Sequence, residues 1–133
     1  MGILNWLGLT GDCEKEPVEL NDKNFIAEVR KSPIPVIVDV WSNGCAPCVQ
    51  LAPTIKRLAC KYEGKVKVAH LNIHNGMKSA QKLGVRGTPT VLFFKNGNVV
   101  ERVVGVRGQH YFEEVIETEL LDDATDEKSE KSA

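Results

Sequence analysis

The amino-acid sequence predicts an α/β fold, with a central mixed five-stranded sheet flanked by helices on both faces. Three observations predict it. Apolar runs of strand length alternate with stretches whose apolar residues recur at helical spacing, in the order βαβαβαββα. That order calls for parallel strands joined by crossing helices. The run IPVIVDVW at residues 34–41 is almost wholly apolar or β-branched, as suits a strand covered on both faces. The last two strand-like runs, TVLFF and VVERVV, flank KNGN, where Asn96-Gly97 is a strong tight-turn signal. Antiparallel strands therefore close the sheet.

In chain order, residues 17–20 suit a short first strand. Asn21 or Asp22 offers an N-cap, and Phe25, Ile26 and Val29 mark one face of a helix that Pro33 and Pro35 end. The buried strand at residues 34–41 follows, interrupted by one charged residue, Asp39. After the CAPC turn, Leu51, Ile55, Leu58 and Tyr62 recur at helical spacing. Pro53 is expected to kink this helix and Gly64 to close it. VKVAHLNI at residues 66–73 is a second buried strand, and residues 77–83 form a short helix. Phe112, Val115, Ile116 and Leu120 give a last amphipathic helix. Residues 122–133 are charged and carry no apolar residue beyond alanine, so a disordered tail is expected. The chain thus divides into an N-terminal extension over residues 1–16, one domain over 17–121 and the tail.

Composition narrows the function classes. A length of 133 residues allows one core without staples, and 42% hydrophobic with 26% charged residues is ordinary for a globular protein. A net charge of −1 gives no electrostatic case for nucleic acid or anionic lipid. No apolar run has the length of a membrane span. The start, MGILNWLGLTGDC, has no basic residue ahead of its apolar stretch, and Trp6 stands where a myristoylation signal needs Ser or Thr. A cytoplasmic protein is expected. There a close cysteine pair is more often catalytic or metal-binding than structural. Cys13, Cys45, Cys48 and Cys60 do not have the spacing of a disulfide framework.

Four features occur in register: VDVW with Asp39 and Trp41, CAPC with Cys45 and Cys48, VRGTPT with Pro89, and FFKNG followed by VVG with Gly105. Together they resemble the thioredoxin family over roughly residues 18–120. The resemblance implies the thioredoxin fold and thiol–disulfide exchange. Three positions depart from the usual pattern: Gly44 replaces the aromatic before the first cysteine, Ala46 the glycine between them, and Val49 the basic residue that follows. These bear on substrate docking and redox poise rather than on reaction class.

The spacing suits redox chemistry. A disulfide needs Cα atoms within about 7 Å, which two intervening residues at the first turn of a helix provide. Pro47 belongs in that turn, where a missing N–H costs no hydrogen bond. Cys45 then meets the unpaired N–H groups and positive dipole end that favour a thiolate. Cys45 is expected to attack a substrate disulfide, and Cys48, more buried, to resolve the mixed disulfide. A static disulfide is one alternative. Zinc is the other, because His70-x₃-His74 follows the pair. On a strand those histidines stand about 13 Å apart, at ~3.3 Å per residue, and share an ion only if the chain folds back after Asn72. An exposed or edge position is the plainer reading for His74 and His110.

Asp39 is costly inside a buried strand, and desolvation raises its pKa. It either reaches the strand end and bonds to backbone or, as the resemblance implies, lies beneath Cys48 and exchanges a proton with it through water. The resemblance also implies a cis Thr88–Pro89 bond against the cysteines, with Thr88 pairing to an extended substrate strand. Gly44, Gly87 and Gly105 would leave room for that backbone, and Trp41 either supports the active-site loop or touches substrate. Cys60, off the helix stripe and about 18 Å from Cys48, is expected to be a spectator thiol, with a regulatory or dimer-forming thiol as the alternative. Cys13, in a segment expected to be flexible, is read likewise. The Ile3, Leu4, Trp6, Leu7 and Leu9 cluster is expected to pack on the domain or dock a partner.

The sequence thus points to a monomeric, cytoplasmic protein-disulfide reductase with no bound cofactor and no metal. Thioredoxin reductase would supply electrons and disulfide-containing proteins would receive them. A thiol oxidase or isomerase, or a non-catalytic binding module of the same fold, is the alternative.

Overall fold

The computed structural model describes residue 13 and residues 15–121. The apolar cluster near the N-terminus and the charged tail lie outside these residues. Five strands form one sheet: β1 (Val18–Leu20), β2 (Val36–Trp41), β3 (Lys67–Asn72), β4 (Thr90–Lys95) and β5 (Asn98–Val104), in the order β1-β3-β2-β4-β5. β3 runs parallel to both β1 and β2, whereas β4 is antiparallel to β2 and β5. The mixed five-stranded sheet expected from the sequence is therefore observed.

The helices are α1 (Ile26–Arg30), α2 (Ala46–Lys61), α3 (Met77–Lys82) and α4 (Gln109–Val115), the last continued by a wider turn over Ile116–Leu120. α1 is also a wide turn, in which Lys31 N–H bonds to the Ile26 carbonyl five residues back. The side chain of Asn21 caps its approach, accepting from Lys23 N–H and Asn24 N–H. Ile26 does not share the buried face expected for it and is 57% exposed, whereas Phe25 and Val29 are buried. The i→i+5 turn explains this, because it rotates residues away from the 3.6-residue stripe.

Period-two alternation in β2 assigns the two faces of the sheet. Val36, Val38 and Val40 pack with Leu20, Phe25, Val29, Leu71 and Phe94 on the side of α1 and α3. Ile37 points the other way, into a core with Leu51, Ile55, Leu58, Phe93, Phe112 and Ile116 from α2, β4 and α4. Asp39, two residues after Ile37, is thereby aimed at α2. The hairpin turns at Asn96 (φ 54°) and Gly97 (φ 80°), both in the left-handed region that Asn and Gly tolerate.

Candidate active site

Cys45 is the N-cap of α2, and Pro47 lies in its first turn. The cap is made by sulfur: Cys48 N–H donates to Cys45 Sγ at 3.2 Å. Cys45 and Cys48 are joined in a disulfide, with Cα atoms 5.2 Å apart. The two sulfurs differ in setting. Cys45 is half-buried at the mouth of the site, whereas Cys48 is 4% exposed. Placing Cys45 first at a helix start and Cys48 one turn inward makes the outer sulfur reachable and, once reduced, stabilised as an anion.

Asp39 sits beneath this pair. It is 5% exposed, and its Oδ1 has no hydrogen-bond partner among the described residues. Among those residues it makes no bond to backbone at the strand end. Burial alone raises its carboxyl from the ordinary carboxylate range to about 7. A cavity of about 360 Å³ joins it to Cys48, lined also by Trp41, Gly44, Val49 and His70. A second cavity of about 380 Å³ reaches Asp39 from behind, between Glu16, Pro17, Lys56 and His70. The walls of the first cavity are mostly apolar, but its volume and the polar groups of Asp39, Ser42, Asn43 and His70 leave room and partners for bridging water.

The opposite wall of the site is the loop before β4. The Thr88–Pro89 peptide bond is cis. The Thr88 carbonyl oxygen lies 3.6 Å from Cys45 Sγ, and the Thr88 hydroxyl pairs with the Ser42 hydroxyl at 2.8 Å. Gly105 N–H donates to the Pro89 carbonyl at 2.9 Å, and the Gly87 carbonyl accepts from the Thr90 hydroxyl at 2.7 Å. Both ends of the loop are thereby tied down. Gly44, with φ 72°, and Gly87 each have open space where a side chain would begin.

The site is thus a sulfur pair at a helix start, sharing a cavity with a buried carboxyl and set against a cis-proline loop. Residues 16–118 match the family model "Thioredoxin". The chain belongs to the thioredoxin family. It is 44% identical over 87 residues to a thioredoxin of Chlorobaculum thiosulfatiphilum, covering 65% of this chain and 81% of that one. Against a thioredoxin of Pseudomonas aeruginosa the identity is 43% over 88 residues, covering 66% and 82%. Thioredoxin 1 of a Nostoc species is 36% identical over 102 residues, covering 77% and 95%. With its Cys-x-x-Cys pair, this member of the thioredoxin family is a thiol–disulfide oxidoreductase and, by class, a protein-disulfide oxidoreductase. Among the described residues, no helix is long and apolar enough to cross a membrane.

The structure brings together Asp39, Trp41, Gly44, Cys45, Cys48, Gly87, Thr88, Pro89 and Gly105 at one end of the sheet. Of two further neighbours, Ser42 was not singled out from sequence and His70 was weighed there only as a zinc ligand. Ser42 tethers Thr88, a link between distant loops that no local pattern carries. His70 is the β3 register partner of Asp39, stacks on Trp41 at 6.1 Å and lines both cavities. A histidine in a strand paired with an acid-bearing strand was the available signal. Cys13 and Cys60 correct the sequence reading outright. They are neither spectators nor thiols but form a second disulfide. The distance from Cys60 to Cys48 along α2 carries no information about the segment before β1, which lies beside the end of that helix.

Proposed function

We propose that this thioredoxin-family protein reduces protein disulfides in the cytoplasm, acting as a dithiol electron carrier. The observation that carries this reading is the asymmetry of Cys45 and Cys48 about the start of α2. In the reduced protein the Cys45 thiolate attacks one sulfur of a substrate disulfide. A Cys45–substrate disulfide forms and the other substrate sulfur leaves as a thiolate. Cys48 then loses its proton, through water in the shared cavity, to Asp39. The resulting thiolate attacks Cys45 Sγ, closing the Cys45–Cys48 disulfide and releasing the second substrate sulfur. Two electrons have passed to substrate. A thioredoxin reductase returns the pair to the dithiol.

Asp39 acts as a base because its carboxyl titrates near neutrality, where it accepts and returns a proton with little bias. Substrate backbone is read by the Thr88 peptide groups in an extended, strand-like pairing, with Gly87, Gly105 and Gly44 leaving clearance. Val49, 73% exposed, and Met77 supply apolar surface on either side. Trp41, stacked on His70, supports the loop that holds Cys45. The protein works as a monomer.

Insulin reduction with dithiothreitol tests the activity. Turbidity should develop faster with the protein than without it, and Cys45→Ser should abolish the gain. Equal rates with and without protein would leave a thioredoxin-fold binding module. A reduction potential far more oxidising than that of cytosolic reductants would assign an oxidase or isomerase.

A further inference from the structure

Cys13 and Cys60 are bonded across 47 residues of sequence, with Cα atoms 5.7 Å apart. Cys60 belongs to the last turn of α2, and Cys13 to the segment that leads into β1. The bond therefore fastens that segment over the outer flank of α2. Little else holds it there. Glu16 pairs with Lys56 at 3.0 Å, but both side chains are largely exposed, and such pairs contribute little. Lys15 and Glu16 are themselves exposed.

The surroundings suit thiol–disulfide exchange. An open cavity of about 620 Å³ lies beside the bond, lined by Cys13, Pro53, Lys56, Arg57, Cys60 and Lys61. It gives an incoming thiolate both space and positive charge. Among the described residues, Glu16 and Glu113 pair with Lys56 and Lys61 of this lining, while Arg57 bonds to the neutral Gln109 and Thr54 side chains and keeps its charge uncompensated there. The two sulfurs are not equivalent as leaving groups. Lys15 N–H donates to Cys13 Sγ at 3.3 Å, which steadies an anion there. Cys60 lies at the negative end of the α2 dipole, which disfavours one. Attack on Cys60 with departure of Cys13 is the favoured direction.

We propose that Cys13–Cys60 is a second redox site, a reversible couple reduced by dithiols, whose opening releases the segment before β1 while the domain stays folded. A dithiol reagent attacks Cys60 Sγ, forming a mixed disulfide and expelling the Cys13 thiolate, which takes up a proton. The reagent's second thiolate then closes its own disulfide and expels the Cys60 thiolate. The protein gains two electrons and two protons, and the dithiol becomes a disulfide. Reversal needs only a disulfide reagent. After opening, Cys13 is tethered to β1 by four residues, and short flexible tethers hold their ends at about millimolar effective concentration. That is enough to re-form the bond without locking it shut. Release also removes Glu16 and Pro17 from the wall of the rear cavity that reaches Asp39.

The test uses the full chain carrying Cys45→Ser and Cys48→Ser, which leaves this couple alone and separates its outcome from that of the active-site reading. Native protein is equilibrated in reduced or oxidised dithiothreitol, alkylated and weighed, and the rate of tryptic cleavage after Lys15 is followed in each state. Two alkyl groups should add in the reduced state and none in the oxidised state, reversibly, with cleavage at least about ten times faster when reduced. Peptide mapping of the wild-type chain, and Cys60→Ser as a permanently released form, guard against a folding defect in the double variant. A bond that survives excess dithiol until denaturant is added would make it a static staple. Free thiols at both positions in oxidised buffer, or cleavage unchanged between states, would equally overturn the proposal.

Discussion

Asp39 and Cys48 face one cavity on the α2 side of the sheet, and both are almost wholly buried. An apolar residue would continue the Ile37 stripe at no desolvation cost, so the carboxyl weakens the fold that holds it. Its Oδ1 receives no compensating hydrogen bond among the described residues. The proposed proton exchange with Cys48 would give the carboxyl a use that packing does not.

The first prediction concerns stability against pH. The Asp39 carboxyl is raised in the fold, from 3.8 to about 7. Below about pH 4 folded and unfolded chains both hold the proton, and the fold carries no penalty. Between about pH 4 and 7 the unfolded chain ionises first, so stability is lost as pH rises through that window. At 1.36 kcal/mol per unit, the loss is up to about 4 kcal/mol. Asp39→Asn should therefore be more stable than wild type at pH 7 and nearly equal at pH 4, by urea unfolding at each pH.

The same substitution should slow resolution of the mixed disulfide. Near pH 7 the defect should be at or below about 10²-fold, the lower end for general acid–base catalysis. It should shrink toward pH 9, where Cys48 ionises unaided. Stopped-flow turnover of a disulfide substrate from pH 6 to 9 measures it. Superimposable profiles would leave Asp39 a structural residue.

Much of this was legible in the sequence. The apolar run of β2, broken only by Asp39, gave the buried strand, and Cys-x-x-Cys before helical spacing gave a redox pair at a helix start. Both signals are local. What escaped notice depends on contacts between distant segments. The Ser42–Thr88 pair joins loops 46 residues apart. The Cys13–Cys60 bond depends on where the chain before β1 crosses α2. Ile26 was misplaced because α1 winds with a wider period than the helical template allows. Pro53 lies within α2, which is nevertheless continuous from Ala46 to Lys61.

A third prediction tests the hairpin. A Cβ on Gly97 would come within 2.6 Å of the Arg30 carbonyl oxygen, at φ 80°. Gly64 has a similar φ of 85° but open space. Gly64→Ala should lose about 1–2 kcal/mol from backbone conformation alone. Gly97→Ala should lose more, because backbone must shift as well and the 2.7 Å bond from Arg30 Nη1 to the Gly97 carbonyl is disturbed. Thermal melts of the two variants rank them.

The Cys13–Cys60 bond should add modestly to stability. It closes a long loop in the unfolded chain but only a short tether in the folded one. Loop-closure scaling over these lengths gives a difference of about 2 kcal/mol. Cys60→Ser should lower the unfolding free energy by about that amount in oxidising buffer and leave it unchanged in reducing buffer.

The division of labour between Cys45 and Cys48 is tested most directly by trapping. The two single variants, Cys45→Ser and Cys48→Ser, are reduced, mixed with a disulfide-bonded protein and weighed by intact mass spectrometry under non-reducing conditions. Cys48→Ser should accumulate a one-to-one adduct through Cys45, because attack proceeds and resolution cannot, whereas Cys45→Ser should show none. Adduct on Cys45→Ser and none on Cys48→Ser would contradict the assignment and make the buried sulfur the nucleophile.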